Sequence, residues 1–538
     1  MIRKVREVIN EKGFIKKNWR NRVPVCIVYP DSYFVGMSNL ALHLLYCTLN
    51  GIEDIVCERA FFEKGSESFS LESKRTLSSF EILFFTFSYE LNYINVASIL
   101  KNSGIPLLRK ERNDKEPIPI IVAGGITVIA NPEPISDFFD LFIMGDVEAT
   151  IHEFMDSYLQ AREKARGKIL EELSKFPWVY NPSFLKINYR DDGKVSSFEP
   201  SDFKVKVNYY RGEPLGRSVI LSTDTEFANM YLVEGTRGCP SRCPFCLMGN
   251  VYDFRVDEKS IYEAAEKNID DIGLLGGGVS FLNTLPRIIG YLSDRGKNLH
   301  LPSLRIDKIP YELLEVIKDR VKTLTFGIEA GSFRLRRAIG KPISDEEIIS
   351  NIEKIFNIAG FNLKLYFMIG LPDEKMEDIE AIFELAKKIR HVAVKKMAPR
   401  GFMSRLTIHI SPFVPKPGTP LQWTRMDNLD SLEEKTKWLR SKIKKLGSLI
   451  FTHESIKYSF IQAILARGDR RLGFVVQKLA EGDNLRKIML ESPVNLGFYV
   501  YRERERDEIF PWDFIEGTRS KEDLYKAFEI FLSKLKNE

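Results

Sequence analysis

The chain has 538 residues, 44% of them apolar, and its 79 Lys and Arg against 74 Asp and Glu leave a net charge of only +5, too little to name a partner. This length predicts several domains with full cores and excludes disorder, collagen and coiled coil as global descriptions. The longest apolar run, Ile118–Ala130, is broken by Pro119 and two glycines, the N-terminus lacks a signal core, and six cysteines are too few for a secreted disulfide framework, so a soluble cytoplasmic protein without stable membrane insertion is expected.

Taken in chain order, residues 1–165 alternate apolar runs with helical stretches. Val23–Tyr29 reads as a buried strand, Ser38–Leu49 as an amphipathic helix, Glu81–Phe87 as a strand, Asn92–Asn102 as a helix, and Pro119–Ala123 and Leu141–Met144 as strands. This rhythm predicts a doubly wound, Rossmann-like parallel sheet whose loops Pro30–Gly36, Ser88–Asn92 and Gly124–Pro134 line one edge. Residues 166–227, with Trp178, Pro182 and the turn Asp191-Asp192-Gly193, read as a β-rich linker of hairpins.

The βα rhythm returns over 228–427, with strands expected at Tyr231–Val233, Ile272–Leu275, Ser303–Ile306, Thr323–Ile328, Leu363–Met368 and Leu406–Ile410. Six strands are too few for a closed eight-stranded barrel and predict an open, partial (β/α)6 barrel of TIM type. Residues 428–538 read as a mainly helical C-terminal domain. The fold class is therefore α/β in both larger units.

The loop after Tyr231–Val233 carries Cys239, Cys243 and Cys246, at spacings of four and three. Thiolates this close converge on one small inorganic body, and Pro240 and Pro244 stiffen the loop. Structural zinc wants four protein ligands, and the next histidine is His300, so a 4Fe-4S cubane with one open iron is favoured over zinc or incidental buried thiols.

The stretch Glu234-Gly-Thr-Arg-Gly-Cys239-x-x-x-Cys243-x-Phe-Cys246 resembles the signature of the radical S-adenosylmethionine (SAM) enzymes. The resemblance implies one 4Fe-4S cluster on the three cysteines, with SAM chelated to the unique iron, Phe245 beside it, and reductive cleavage to methionine and a 5′-deoxyadenosyl radical. It also implies an electron donor such as ferredoxin or flavodoxin. Gly276-Gly277-Gly278 resembles the family's glycine motif, whose backbone carbonyls accept from the SAM ammonium; an acidic residue usual there is Val279 here. Glu329 and Ser332 resemble positions that bind the SAM ribose and carboxylate, with Arg336 a weaker carboxylate candidate, and Met368–Pro372 and Ser411–Pro415 resemble adenine-side loops. An ordinary glycine turn, a surface glutamate and a serine helix cap are the bland readings of these positions.

Asp31-Ser-Tyr33-Phe-Val-Gly36 and Gly124-Gly125 resemble the cobalamin-binding domain that precedes many radical SAM domains, but Tyr33 stands where that family has its axial histidine. Together with Phe87–Tyr93, Asn131–Pro134 and Ala466–Arg471, these motifs resemble one uncharacterised branch of such proteins. Methylthiotransferases are similar in having three N-terminal cysteines for a second cluster; Cys26, Cys47 and Cys57 lie in apolar runs and a helix rather than in strand-end loops, which favours buried thiols. The basic clusters around Lys387–Arg400 and Lys435–Lys445 have acids nearby and read as solvated helix faces, and His409 as a packed or hydrogen-bonded residue.

The expected function is a radical SAM enzyme acting on an unidentified substrate, through cobalamin-dependent methyl transfer or carbon-carbon bond formation. The alternatives are methylthiotransferase-like modification of RNA or protein with a second cluster, and a non-catalytic iron-sulfur RNA-binding protein.

Overall fold

The computed structural model describes residues 10–113 and 117–536. Two compact units share the chain: unit 1 comprises Met1–Val233, Gly468–Asn495 and Glu508–Gly517, and unit 2 comprises Glu234–Arg467, Leu496–Asp507 and Thr518–Glu538. Residues 428–538 thus contribute to both.

Unit 1 is built on strands β1 (Val23–Tyr29), β2 (Ile55–Phe61), β3 (Ile82–Thr86), β4 (Ile120–Gly124), β5 (Leu141–Ile143) and β6 (Val179–Tyr180), with helices α1 (Leu40–Gly51), α2 (Tyr93–Asn102) and α3 (Val147–Ala161). The spatial order is β2-β1-β3-β4-β5-β6, parallel except for β6. Every residue of β1 and β3 is buried, as a sheet covered on both faces requires. Leu42, Leu45 and Phe154 of α1 and α3 close one face over Val25, Ile27 and Phe84, and α2 packs with helix Gly473–Ala480. The edge strand β2 lies outside the expected strands, because Glu58-Arg59 interrupts its apolar residues between Cys57 and Ala60 although both are buried. The linker forms the expected hairpin, β7 (Lys186–Tyr189) against β8 (Val195–Glu199), turned at Gly193 with φ +87°.

Two of the distinctive motifs meet inside unit 1. Asn131 Nδ2 donates to the Gly468 carbonyl (2.8 Å), and Arg470 Nε donates to the fully buried Glu133 carboxylate (2.8 Å), which also accepts from the Tyr180 hydroxyl (2.5 Å). These charge-assisted bonds fasten the returning segment to the sheet.

In unit 2, β9 (Tyr231–Glu234) ends at the unit's first residue, and the Gly235 N–H donates to the Leu275 carbonyl (3.0 Å). The strands β10 (Asp271–Leu275), β11 (Asn298–His300), β12 (Thr323–Glu329), β13 (Asn362–Ile369), β14 (Leu406–Pro412) and β15 (Leu449–His453) follow. Between them run α4 (Glu258–Ala265), α5 (Leu285–Asp294), α6 (Tyr311–Ile317), α7 (Phe333–Ala338), α8 (Asp345–Ile358), α9 (Met376–Met397) and α10 (Leu429–Leu446), and α11 (Lys521–Lys536) comes last. The pairs β10·β11, β12·β13, β13·β14 and β14·β15 are parallel, and a parallel bridge from Leu304 to Phe326 joins the two groups. Consecutive parallel neighbours joined by helices make a partial (β/α) barrel. Along β13 the residues alternate strictly: Leu363, Leu365, Phe367 and Ile369 are buried, while Lys364, Tyr366 and Met368 on the other face are half-buried.

Two expectations need correction here. The third barrel strand is Asn298–His300 rather than Ser303–Ile306; Pro302 has no N–H to give to a ladder, Leu304 makes a lone bridge, and Ile306–Lys308 turns as a 3₁₀ helix. The region expected to be mainly helical also supplies a further parallel strand, β15.

Candidate functional site

The cysteine loop leaves β9 through a short ribbon in which Thr236–Arg237 pairs antiparallel with Arg255–Val256, so the loop is pinched at its base. Asn250 Nδ2 donates to the carbonyls of Cys243 (2.9 Å) and Cys246 (2.8 Å), and the Leu421 N–H donates to the Pro244 carbonyl (3.1 Å). Asn250 is itself held by Arg519 Nη1 (2.6 Å), while the Thr518 hydroxyl donates to the Asn250 and Val251 carbonyls. Phe245 packs on an apolar cluster of Ala330, Leu335, Leu371, Phe413, Phe531 and Leu535. The C-terminal segment thereby braces the loop, a role nothing in its local sequence signals.

Burial pushes the Cys243 thiol up to about 12, opposed first by Lys341. Burial also raises Cys246, opposed by the backbone N–H groups of Gly249 and Met248. Thiols in such surroundings ionise when a metal binds them, since the ligand is the thiolate. Among the described residues no three His, Cys, Asp or Glu side chains converge to hold a single ion. The thiolates of a cubane bind three different irons and need no common point. Three thiols on one braced loop fit such a donor set.

The glycine turn lies against this loop. Gly276 has φ +139°, and a Cβ there would stand 2.2 Å from Thr236 Oγ1; a Cβ on Gly277 would come within 3.8 Å of Cys239 Cβ. The Gly278 N–H donates to Thr236 Oγ1 (3.2 Å). At Gly276 and Gly278 a side chain would collide with Thr236 and Phe254, so the close approach of this turn to the base of the cysteine loop requires glycine there.

Glu329 ends β12 at a register shift against β13 and has φ +71°, a left-handed conformation costing a non-glycine residue about 1 kcal/mol or more. Its Oε1 accepts from Lys341 Nζ at 2.7 Å. Ser332 caps α7, accepting from the Leu335 N–H (3.3 Å) and donating to Asp378 Oδ1 (2.5 Å). Arg336 is not brought to this group. It is fully buried, its Nε donates to the Ile343 carbonyl (2.7 Å), Nη1 to the Gly331 carbonyl, and Nη2 pairs with Asp345 (2.6 Å). The loops after β13 and β14 adjoin each other, the Phe413 N–H donating to the Ile369 carbonyl (2.8 Å).

Two cations near the cysteines escaped sequence reasoning. Arg305 Nη1 donates to Ser241 Oγ within the loop (3.0 Å) while its other nitrogens hold Asp307. Lys341, in Gly340-Lys341-Pro342, carries no periodic or motif signal of its own.

The loop ahead of α1 has a different character. The Tyr33 hydroxyl donates to Glu11 (2.7 Å) and accepts from Ser222 Oγ (2.8 Å), and Glu11 and Ser222 face each other across the ribbon Glu11–Lys12/Leu221–Ser222. Arg59 in β2, fully buried, grips both Glu11 and Glu72 at 2.7 Å. Cys26 and Cys57 are buried on opposite faces of the sheet, since Cys57 registers with Val25 and Cys26 with Glu58. Cys47 is exposed on α1, a correction to its expected burial. His409 stacks edge-on to Tyr366 and bonds Thr452 Oγ1 (2.8 Å), and Lys387, Lys388 and Lys437 pair with Glu384, Asp345 and Glu433. Among the described residues no helix is long and apolar enough to cross a membrane.

A cysteine loop at the carboxyl end of the first strand of a partial barrel, abutted by a glycine turn from the second, defines an enzyme of the radical SAM type. Comparison with known proteins agrees: residues 41–182 match the family model "Radical SAM proteins, N-terminal", and residues 233–386 match "Radical SAM superfamily". An uncharacterized protein of Methanocaldococcus jannaschii is 30% identical over 83% of this chain and 89% of its own length. An uncharacterized methyltransferase of Pyrococcus horikoshii is 26% identical over 50% of this chain and 58% of its own. A solved structure of the cobalamin-dependent SAM radical enzyme OxsB, with aqua-cobalamin and SAM bound, aligns over 96% of this chain and 80% of that one, at 13% identity and a TM-score of 0.47. The chain belongs to the radical SAM superfamily.

Proposed function

We propose that Cys239, Cys243 and Cys246 hold one 4Fe-4S cluster whose remaining iron is the site of SAM. The observation that carries this reading is the contact between the cysteine loop and the glycine turn, with the Gly277 backbone beside Cys239. When bound, the cluster supplies the electron that cleaves SAM to methionine and a 5′-deoxyadenosyl radical. The chain's own groups do the rest. The carbonyls of Gly276–Gly278 accept from the SAM ammonium, Glu329 accepts from a ribose hydroxyl, and Ser332 lies at the carboxylate end. Phe245 and the apolar cluster behind it keep water from the loop, and Asn250 holds the two carbonyls that set the spacing of Cys243 and Cys246. Anaerobic incubation with SAM and dithionite should yield 5′-deoxyadenosine by mass spectrometry; Cys243→Ala should yield none, and retained cleavage would refute the assignment.

For the reaction downstream of cleavage, methyl transfer through cobalamin and direct hydrogen abstraction on a carbon substrate differ in their demand on unit 1. No imidazole is offered from the loop after β1, because Tyr33 is engaged with Glu11 and Ser222, and His43 is buried with Nε2 on the Met37 carbonyl (2.9 Å). The loop after β1 would thus offer a bound corrin Tyr33 and no imidazole. Corrin absorbance retained after incubation with hydroxocobalamin, beyond that of the cluster, supports methyl transfer; protein that is active in SAM cleavage yet retains no corrin supports hydrogen abstraction. Methylthiolation is the weaker reading, since Cys26, Cys47 and Cys57 do not face one another.

A further inference from the structure

Lys341 joins two parts of the site that the motifs leave separate. Its side chain is largely buried, and Nζ donates to the Gly327 carbonyl and to Glu329 Oε1, both at 2.7 Å. Gly327 and Glu329 are the residues between which β12 slips register, so the ammonium staples the bulge that turns Glu329 into its left-handed conformation. The same turn reaches the cysteine loop: a Cβ on the neighbouring Gly340 would stand 3.7 Å from Cys243 Cα and 3.9 Å from Cys243 Sγ. Arg305 also acts on this loop, bonding Ser241 and pairing with Asp307 through two nitrogens, whereas Lys341 pairs with Glu329, the residue at the register shift itself.

We propose that Lys341 is a positioning residue of the cluster site, whose ammonium both orients Glu329 and sets a positive charge beside Cys243 that favours the reduced cluster. The proposal rests on the assignment of the cluster to this loop. Reduction adds one negative charge to the cluster, and a cation held close by in a water-poor site stabilises that state. Glu329, its partner, acts with the opposite sign. A lysine that only stapled the bulge would be replaceable by any donor of similar reach, charged or not.

Potentiometric titration followed by electron paramagnetic resonance, on anaerobically reconstituted protein without SAM, separates these roles. Lys341→Gln keeps a donor and removes the charge, Lys341→Arg keeps the charge, and Glu329→Gln removes the opposing one. The midpoint potential is expected to fall in Lys341→Gln, to stay at the wild-type value in Lys341→Arg, and to rise in Glu329→Gln. An unshifted Lys341→Gln, or a shift of the same sign in Lys341→Gln and Glu329→Gln, overturns the proposal. If Lys341→Gln does not assemble a cluster, the rise in Glu329→Gln carries the test, and its absence overturns it. A wild-type protein with no cluster signal removes the cluster assignment and this proposal with it; a normal wild-type signal with unshifted variants removes the role of Lys341 alone.

Discussion

Both units present loops beyond the carboxyl ends of parallel strands, and the two first loops have opposite chemistry. After β1 of unit 1, Tyr33 is tied to Glu11 and Ser222, and Arg59 seals the polar groups behind it with two carboxylates. After β9, the loop into unit 2 holds three thiols with backbone glycines beside them and a lysine paired with Glu329 nearby. The same sheet geometry thus carries a closed polar network in one place and a ligand set in the other, because the fold positions loops and the residues in them decide the chemistry. The two sets of three cysteines divide in the same way: one lies on a single braced loop, the other is spread over two sheet faces and a helix surface.

The sharpest way to break this contrast is to cross the two sets. Cys239→Ala or Cys246→Ala should abolish the cluster's absorbance and paramagnetic signal, as a total loss, whereas Cys47→Ala should leave both intact. Loss of signal in Cys47→Ala would erase the distinction between the sets.

The network behind Tyr33 should next yield to removal of its cation. Arg59→Met strands Glu11 and Glu72, buried beside it, and is expected to cost about 3–5 kcal/mol of unit 1 stability in urea unfolding. An unchanged midpoint would show the network to be dispensable.

The same region should respond to acid through His43. Burial, reinforced by the Arg59 charge, lowers this imidazole from 6.5 to about 4, although the Met37 carbonyl pulls the other way. The unfolded chain takes up the proton near pH 6.5 and the folded one resists it, so this stability is whole above that pH and is lost as pH falls toward 4. The loss amounts to roughly 3 kcal/mol at ~1.4 kcal/mol per pH unit, and unfolding curves between these limits should lose that slope in His43→Gln. Smaller again, Tyr33→Phe deletes the hydrogen bonds to Glu11 and Ser222 and should cost about 1–2 kcal/mol; a loss as large as that of Arg59→Met would mean that Tyr33 organises the network.

Much of this arrangement was legible in sequence because it is local. The buried strands of unit 1 are continuous apolar runs, and the cysteine loop and glycine turn are short motifs at strand ends. What escaped is non-local or runs against residue type. Asn250 and Arg519 lie 269 positions apart, so the bracing of the loop has no sequence signature. Arg336 is buried in α7 with Leu335 and Ala338, a place where an arginine is tolerated because carbonyls and Asp345 satisfy it, and periodicity alone cannot announce this. Lys341, in the segment after α7, reaches Gly327 and Glu329 instead. The third barrel strand was displaced because apolar character continued past Pro302, where the ladder could not.

The central claim is one cluster on one loop, and the count of iron and acid-labile sulfide in anaerobically reconstituted protein tests it most directly. About four of each per chain, unchanged in a Cys26→Ala, Cys47→Ala, Cys57→Ala variant, is the predicted result; about eight per chain, falling to about four in that variant, would contradict it.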